Sequence, residues 1–110
     1  MGDPVEGWVE FCPLEELRTK GRVVRWAGEI REACALWLDG APRVFSGVCP
    51  HAGGPLGEGR LAREGGEPVI RCPWHGYAYD LSTGACGQAG ILKLAFLPFK
   101  VEGGVLYVRA

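Results

Sequence analysis

The sequence predicts an all-β fold, an antiparallel β-sandwich or partial barrel. Eighteen glycines and eight prolines occur among the 110 residues, which indicates many tight turns. Short runs rich in β-branched and aromatic residues lie between these turn signals, as in proteins built from short strands. Apolar residues do not repeat at helical spacing over any stretch of about ten residues. A chain of this length makes one small domain, so we expect a single domain over residues 1–110.

The first half of the chain is expected to contain four strands and one turn of helix. The strands are predicted at residues 8–11, 23–26, 34–38 and 43–46. Pro13 suits the first position of a helix and predicts a helical turn that runs through Leu17. Asp39-Gly40 lies between the third and fourth strands and is typical of a hairpin turn.

The second half is expected to contain the remaining strands and one long connection. Residues 57–67 are rich in glycine and charge and are predicted to form a solvated connection. Strands are predicted at 69–71 and 77–81, and two closing strands at 91–96 and 99–108. Gly103-Gly104 divides the last of these and suits a two-residue hairpin turn.

Charge and apolar patterning exclude several classes of protein. The formal net charge of −1 excludes a basic nucleic-acid surface and gives little reason to expect membrane electrostatics. The first six residues are acidic and lack the apolar run of a signal peptide. No apolar stretch approaches the length of a membrane span. We therefore expect a cytoplasmic protein with neither nucleic acid nor membrane as a partner.

Two short loops carry the residues that bind metals. The first runs from Cys49 to Leu56 and contains His51, and the second runs from Cys72 to Tyr77 and contains His75. These are the only two histidines in the chain, and each follows a cysteine by two or three positions. Two sulfurs and two nitrogens suit tetrahedral zinc or an iron–sulfur cluster.

The order of the ligands favours a cluster over zinc. Structural zinc sites draw like ligands in pairs, whereas each loop here supplies one cysteine and one histidine. Two such loops facing each other can hold two irons, with both cysteines on one iron and both histidines on the other. Structural zinc remains the alternative.

Both loops resemble the Rieske iron–sulfur family. The resemblance is carried by C-P-H-A-G-G-P-L at 49–56 and C-P-W-H-G-Y-A-Y-D at 72–80. It implies one [2Fe–2S] cluster and a β-sandwich base with a small cluster-binding subdomain inserted at about 46–80. The ligands that it implies are Cys49, His51, Cys72 and His75. Around them it implies amide donors to the sulfides at Ala52, Gly53, Gly54 and Trp74.

The chain also departs from the high-potential members of that family. Gly54 and Trp74 stand where those members carry two cysteines that link the loops by a disulfide, and Tyr77 stands where they carry a serine. Residues 84–90, which match a third loop beside the cluster, lack its usual proline, and we expect them to be more mobile. Tyr79 keeps a tyrosine of the high-potential members. Its hydroxyl either reaches the sulfur of Cys49 or lies in water, and both interpretations stay open.

The other cysteines and tryptophans are assigned as follows. Cys12, Cys34 and Cys86 remain after two cysteines are given to the metal, and we expect them to be reduced. Cys34 is predicted to lie in the core, and Cys86 in a glycine-rich loop is the candidate reactive thiol. Trp74 is expected to be partly exposed beside the cluster, and the core is expected to contain Trp8, Trp26 and Trp37.

The resemblance implies a soluble one-electron carrier and not itself a catalyst. It implies transfer from a flavin-dependent reductase to a terminal oxygenase of a ring-hydroxylating system. The oxygenase itself is excluded, because its second iron needs two further histidines. The alternatives are the small subunit of a nitrite reductase or similar enzyme and, from another class, a zinc-stabilised binding module. Partners are expected to dock on an apolar tip around the two histidines formed by Pro50, Ala52, Pro55, Leu56, Pro73 and Trp74.

Overall fold

Three antiparallel sheets make up the computed structural model, which describes residues 7–28 and 31–109. The strands are β1 (Trp8–Pro13), β2 (Arg22–Ala27), β3 (Arg31–Leu38), β4 (Ala41–Ser46), β5 (Arg60–Glu64), β6 (Glu67–Arg71), β7 (Ala78–Asp80), β8 (Phe99–Glu102) and β9 (Val105–Arg109). A helix, α1 (Leu14–Lys20), follows β1, and a short 3-10 helix spans Leu56–Glu58. The strand orders are β1-β9-β8, β2-β3-β4 and β5-β6-β7. The all-β prediction is therefore confirmed. Of the described residues, no helix has the length and apolar character needed to cross a membrane.

The first two sheets and α1 enclose one hydrophobic core. Phe11 from β1, Val23 from β2 and Leu106 from β9 meet there with Leu17 from the helix. The pairing of β1 with β9 shifts between Glu10 and Cys12, which breaks the usual alternation of the strand. For this reason the consecutive residues Phe11 and Cys12 are both buried.

A second core lies between β3–β4 and the third sheet, and it supports the ligand loops. Strand β3 separates the two cores, so Ala33 and Ala35 face the first core while Cys34 and Leu36 face the second. A strand that is covered on both faces needs a continuous apolar run, which Ala33 to Leu36 provides. The prediction that Cys34 is a core residue is confirmed, since it is 0% exposed.

Two of the predicted connections differ from the structure. Residues 57–67, predicted as a solvated connection, contain most of the 3-10 helix and all of β5, which pairs with β6 through a Gly65-Gly66 turn. Strand β5 is mostly exposed, so it carries no apolar pattern, and its backbone pairing makes it a strand. Residues 91–96, predicted as a strand, form isolated bridges instead, because Lys93 pairs with Ala85 while Phe96 pairs with Phe45 of β4.

Both predicted hairpin turns are confirmed, but the predicted burial of one tryptophan, Trp26, is wrong. Asp39-Gly40 joins β3 to β4 with φ of 52° and 82°, and Gly103-Gly104 joins β8 to β9 with φ of 59° and 79°. Trp8 and Trp37 are partly buried. Trp26, expected in the core, is 60% exposed near the end of β2, which is an edge strand.

We propose that residues at about 46–80 form the inserted subdomain, since both ligand loops and the third sheet fall within them.

Candidate metal centre

The two ligand loops close with the same pattern of backbone hydrogen bonds. In the first, the N–H of Gly53 donates to the carbonyl of Cys49, and the N–H of Cys49 donates to the carbonyl of Gly54, both at 2.9 Å. In the second, Gly76 donates to Cys72 and Cys72 donates to the carbonyl of Tyr77, again at 2.9 Å. Each cysteine is thus held by the residues four and five positions later.

Glycine is required at the fourth position after each cysteine. Gly53 has a φ of 76° and Gly76 a φ of 72°, a left-handed conformation that side chains with a Cβ adopt only with strain. Pro50 and Pro73 directly follow the cysteines and fix the backbone φ where each loop begins. The matching pattern in the sequence therefore predicts matching loops.

The four predicted ligands come together in two pairs. Cys49 and Cys72 are buried, at 2% and 3% exposure, and their thiols contact each other. His51 and His75 are exposed, with ring centroids 5.0 Å apart and ring planes at 81°. Within residues 7–28 and 31–109, no three histidine, cysteine or acidic side chains converge as a site for a single ion would require. Two inner sulfurs and two outer nitrogens fit a two-iron cluster with unlike ends.

Hydrogen bonds to sulfur distinguish the two cysteines. Burial raises the pKa of the Cys49 thiol, but hydrogen bonds from the hydroxyl of Tyr79 and the N–H groups of His51 and Ala52 lower the pKa below its ordinary value. Burial and the neighbouring Cys49 raise the pKa of Cys72, although the N–H groups of Trp74 and His75 oppose this. Each sulfur thus accepts two backbone hydrogen bonds, and Cys49 accepts one more from the hydroxyl of Tyr79.

Tyr79 is fully buried, and its hydroxyl oxygen lies 3.2 Å from the sulfur of Cys49. Burial, followed by the hydrogen bond and the charge of Cys49, raises the pKa of Tyr79 well above its ordinary value. As a metal ligand the sulfur of Cys49 carries no proton, so the hydroxyl of Tyr79 donates this hydrogen bond and the sulfur accepts it. The interpretation that placed this hydroxyl in water is wrong.

The amide donors are arranged partly as expected. Ala52 and Trp74 donate to the cysteine sulfurs, together with the histidine amides, which the sequence had not indicated. The N–H of Gly53 is taken by the carbonyl of Cys49. Donation of the amides of Ala52, Gly53, Gly54 and Trp74 to inorganic sulfide stays a prediction.

Two arginines stabilise the ends of the loops, and the sequence analysis did not identify them. The Arg22 guanidinium donates to the carbonyls of Gly57 and Gly59, at 2.9 and 2.8 Å, where the first loop ends. Arg71 donates to the carbonyl of Gly76 at 2.6 Å and forms an ion pair with Glu64. Arg71 directly precedes Cys72, and this position could have indicated its role in the second loop. Arg22 is distant in sequence, and no local pattern could have indicated its role.

The third loop, residues 84–90, is tied to β7. Gly87 donates to the carbonyl of Ala78 at 3.0 Å, and the side-chain oxygen of Gln88 accepts from the N–H of Ala78 at 2.8 Å. These bonds argue against the expected mobility. Cys86, the candidate reactive thiol, is 6% exposed and packs in the second core, so it is buried and not at the surface.

A family model described as the Rieske [2Fe-2S] domain matches residues 7–94. The chain is 41% identical over 63 residues to apoptosis-inducing factor 3 of Homo sapiens, covering 56% of this chain and 10% of that protein. It is 29% identical over 102 residues to the ferredoxin component of the alkene monooxygenase system of Xanthobacter autotrophicus, covering 93% of this chain and 80% of that one. The chain spans between 10% and 15% of the length of the first three curated relatives it matches.

Solved structures show the same fold over nearly the whole chain. A protein assigned as the small subunit of an NADH-dependent nitrite reductase from Mycobacterium tuberculosis has a TM-score of 0.79 at 20% identity, covering 97% of both chains. The ferredoxin of carbazole 1,9a-dioxygenase from Nocardioides aromaticivorans has a TM-score of 0.77 at 22% identity, covering 94% of this chain and 98% of that one. At such identities the likeness shows the fold alone.

Proposed function

We propose that the chain, which belongs to the Rieske [2Fe-2S] domain family, is a one-electron carrier and not itself a catalyst. Its cofactor is a Rieske-type [2Fe–2S] cluster, which supplies one-electron redox chemistry when bound. One observation carries the proposal: two loops of matching geometry bring two buried cysteines together and two exposed histidines together. The four residues proposed to hold the cluster are Cys49, His51, Cys72 and His75.

The protein's part is to bind the cluster, shield its inner end and present its outer end. The cysteines lie in the second core beside Tyr79, so the end with the sulfur ligands is kept from water. The histidines lie at the surface, so a partner that contacts their rings has the shortest electron-transfer path to the iron. We therefore infer that electrons enter and leave through His51 and His75.

The exposed neighbours of the two histidines along the ligand loops are apolar and uncharged. Trp74 is 58% exposed and Val48 is 48% exposed, and Pro50, Ala52 and Pro73 are also exposed. Leu56, expected on this surface, is 0% exposed and belongs to the second core. An uncharged surface of this kind favours docking through apolar contacts more than through long-range attraction.

We propose that the electrons come from a flavin-dependent reductase and pass to a terminal oxygenase, in the cytoplasm. The support is the similarity to a ferredoxin component of a monooxygenase system over most of both chains. The similarity to a nitrite reductase small subunit concerns the fold alone. Transfer of the electrons to a nitrite reductase therefore remains the alternative. Affinity purification of the tagged chain from its native cell, followed by identification of the retained proteins, separates the two. Recovery of nitrite reductase in place of a reductase and an oxygenase would overturn the oxygenase proposal.

Purified protein from iron-replete cells is expected to contain two irons and two acid-labile sulfides per chain, the content of one [2Fe–2S] cluster. Its reduced form is expected to give an EPR spectrum with a low average g value, because nitrogen ligands hold one of the irons. Metal analysis and EPR spectroscopy check both expectations. One zinc per chain without iron would instead support the zinc-stabilised binding module.

Replacement of Trp74 by alanine is expected to slow electron transfer with the partner by about tenfold, the effect of losing roughly 1.4 kcal/mol at the contact. Stopped-flow rates, normalised to cluster content, provide the measurement. Trp26→Ala is the matched control, because Trp26 is 60% exposed against 58% for Trp74 but belongs to β2. Equal rates in the two variants would remove Trp74 from the docking surface.

The association rate is expected to change little between low and physiological ionic strength. The two ligand loops contain no charged residue, and the formal net charge of the chain is −1, so long-range steering is weak. Stopped-flow association with the reductase over a series of salt concentrations tests this. A steep fall of the rate with salt would mean that charged residues outside this surface guide docking.

A further inference from the structure

The backbone hydrogen bonds that close each ligand loop join residues of the same loop. Those of the first connect Cys49 with Gly53 and Gly54, and those of the second connect Cys72 with Gly76 and Tyr77. All five cysteines are free, so no disulfide links the loops. Apart from the cluster itself, side chains of one loop that contact the other loop are therefore what holds the two loops against each other.

One such contact joins Trp74 of the second loop to Gly54 of the first. A Cβ placed on Gly54 would lie 2.9 Å from Cγ and Cδ2 of Trp74 and 3.1 Å from the sulfur of Cys72. The indole therefore lies directly against the Gly54 backbone. Unlike Gly53, Gly54 has no positive φ, so what this position requires is the missing side chain and not an unusual backbone conformation.

A second contact joins Tyr77 of the second loop to His51 of the first. The phenol ring stacks on the imidazole, with centroids 4.0 Å apart and planes at 17°. Tyr77 is partly buried and packs against the second core, so its ring has a fixed position. His51 is exposed, and the stacked ring covers one face of the imidazole and restricts its rotation.

We propose that Trp74 and Tyr77 form an aromatic lock, in which two rings of the second ligand loop hold the first loop in place. Both are positioning residues that flank His75, and both act on the first loop, one through Gly54 and the other through His51. The lock slows loss of the cluster and fixes the orientation of the His51 ring. This inference rests on the proposed function, since it concerns the retention of the same cluster.

The lock predicts how fast the cluster is lost from variants. Gly54→Ala puts a methyl group 2.9 Å from the indole of Trp74 and 3.1 Å from the sulfur of Cys72, and overpacking of this kind corresponds to at least about a fivefold faster loss. Tyr77→Leu keeps an apolar side chain but removes the stack, which corresponds to about a 2- to 12-fold faster loss. Tyr77→Phe keeps the ring and is expected to behave as the parent protein. Gly90→Ala is the control for Gly54, because a Cβ on Gly90 meets nothing within 4 Å.

The experiment follows the visible absorbance of the reduced protein after addition of a ferrous chelator, and records the EPR spectrum of each variant before the addition. Circular dichroism verifies that each variant keeps its strands. Faster bleaching in Gly54→Ala and Tyr77→Leu, with altered g values in Tyr77→Leu and rescue in Tyr77→Phe, supports the lock. Bleaching rates equal to that of Gly90→Ala in both variants overturn it, and leave the electron-carrier proposal intact. Failure of the parent protein to exchange electrons with any partner would count against the proposed function while the bleaching rates still decide the lock.

Discussion

Replacement of either His51 or His75 by alanine is expected to abolish the visible absorbance and the EPR signal of the [2Fe–2S] cluster. The chain contains two histidines, and both lie in the metal centre, so no third imidazole is available to take the vacated position. The outer iron would keep a single protein ligand. Because a metal group that binds only the folded state stabilises it, the variants should also unfold at a lower temperature than the loaded parent protein.

The cysteines offer a matched control for this experiment. Cys49→Ser and Cys72→Ser are expected to lose the cluster, whereas Cys12→Ala and Cys34→Ala should keep it. Cys12 lies in the first core, and the thiol of Cys34, although it lies in the second core, contacts the carbonyl of Gly57. Iron analysis and absorbance spectra of the six variants distinguish these outcomes. A full cluster in either histidine variant would mean that another group supplies the ligand and would contradict the assignment.

The metal centre could be predicted from the sequence because its geometry is local. Each loop is closed by hydrogen bonds that reach only four or five residues along the chain, and a glycine stands at the position with positive φ in both. The spacing of cysteine, histidine and glycine therefore contains most of the information that shapes the loop. The same is true of the hairpin at Asp39-Gly40, where the turn residues determine the geometry.

Features that depend on distant contacts could not be predicted in this way. The strand pattern around Trp26 predicts a core residue. The neighbouring sequence does not indicate that this end of the edge strand β2 is left uncovered. The segment 91–96 has a strand-like apolar pattern, yet its residues bridge to two different parts of the fold. Arg22 of β2 donates to the carbonyl of Gly57, directly after the first ligand loop, across a sequence separation of 35 residues. In each case the decisive neighbour is remote in the sequence.

The contact between Tyr79 and Cys49 lies between these extremes. The position of Tyr79, four residues after His75, marked it as a candidate, but only the fold shows where its hydroxyl points. Tyr79 is held by the pairing of β7 with β6, where it lies opposite Ile70, and by a bridge to Cys86. These constraints leave the ring fully buried and the hydroxyl aimed at a cysteine of the other loop.

Replacement of Tyr79 by phenylalanine is expected to lower the reduction potential of the cluster by about 20–65 mV. The hydroxyl donates a hydrogen bond to the sulfur of Cys49, and this bond is stronger when the cluster carries the additional negative charge of the reduced state. A hydrogen bond contributes about 0.5–1.5 kcal/mol net, and about 59 mV corresponds to a tenfold change for one electron. Phenylalanine fills the same buried space without the hydroxyl, so the fold and the cluster should survive. The parent protein is expected in the lower half of the family range of roughly −150 to +300 mV.

Protein-film voltammetry of the parent and variant proteins measures this shift directly. Tyr107→Phe is the control, because it removes a phenol hydroxyl from β9, in a different sheet from the ligand loops, and should leave the potential unchanged. The Tyr79→Phe spectrum should keep the absorbance and g values of an intact cluster, which separates a loss of one hydrogen bond from damage to the site. If the potential of Tyr79→Phe equals that of the parent, the hydroxyl contributes nothing to the redox balance, and Tyr79 is a core aromatic that happens to lie beside Cys49.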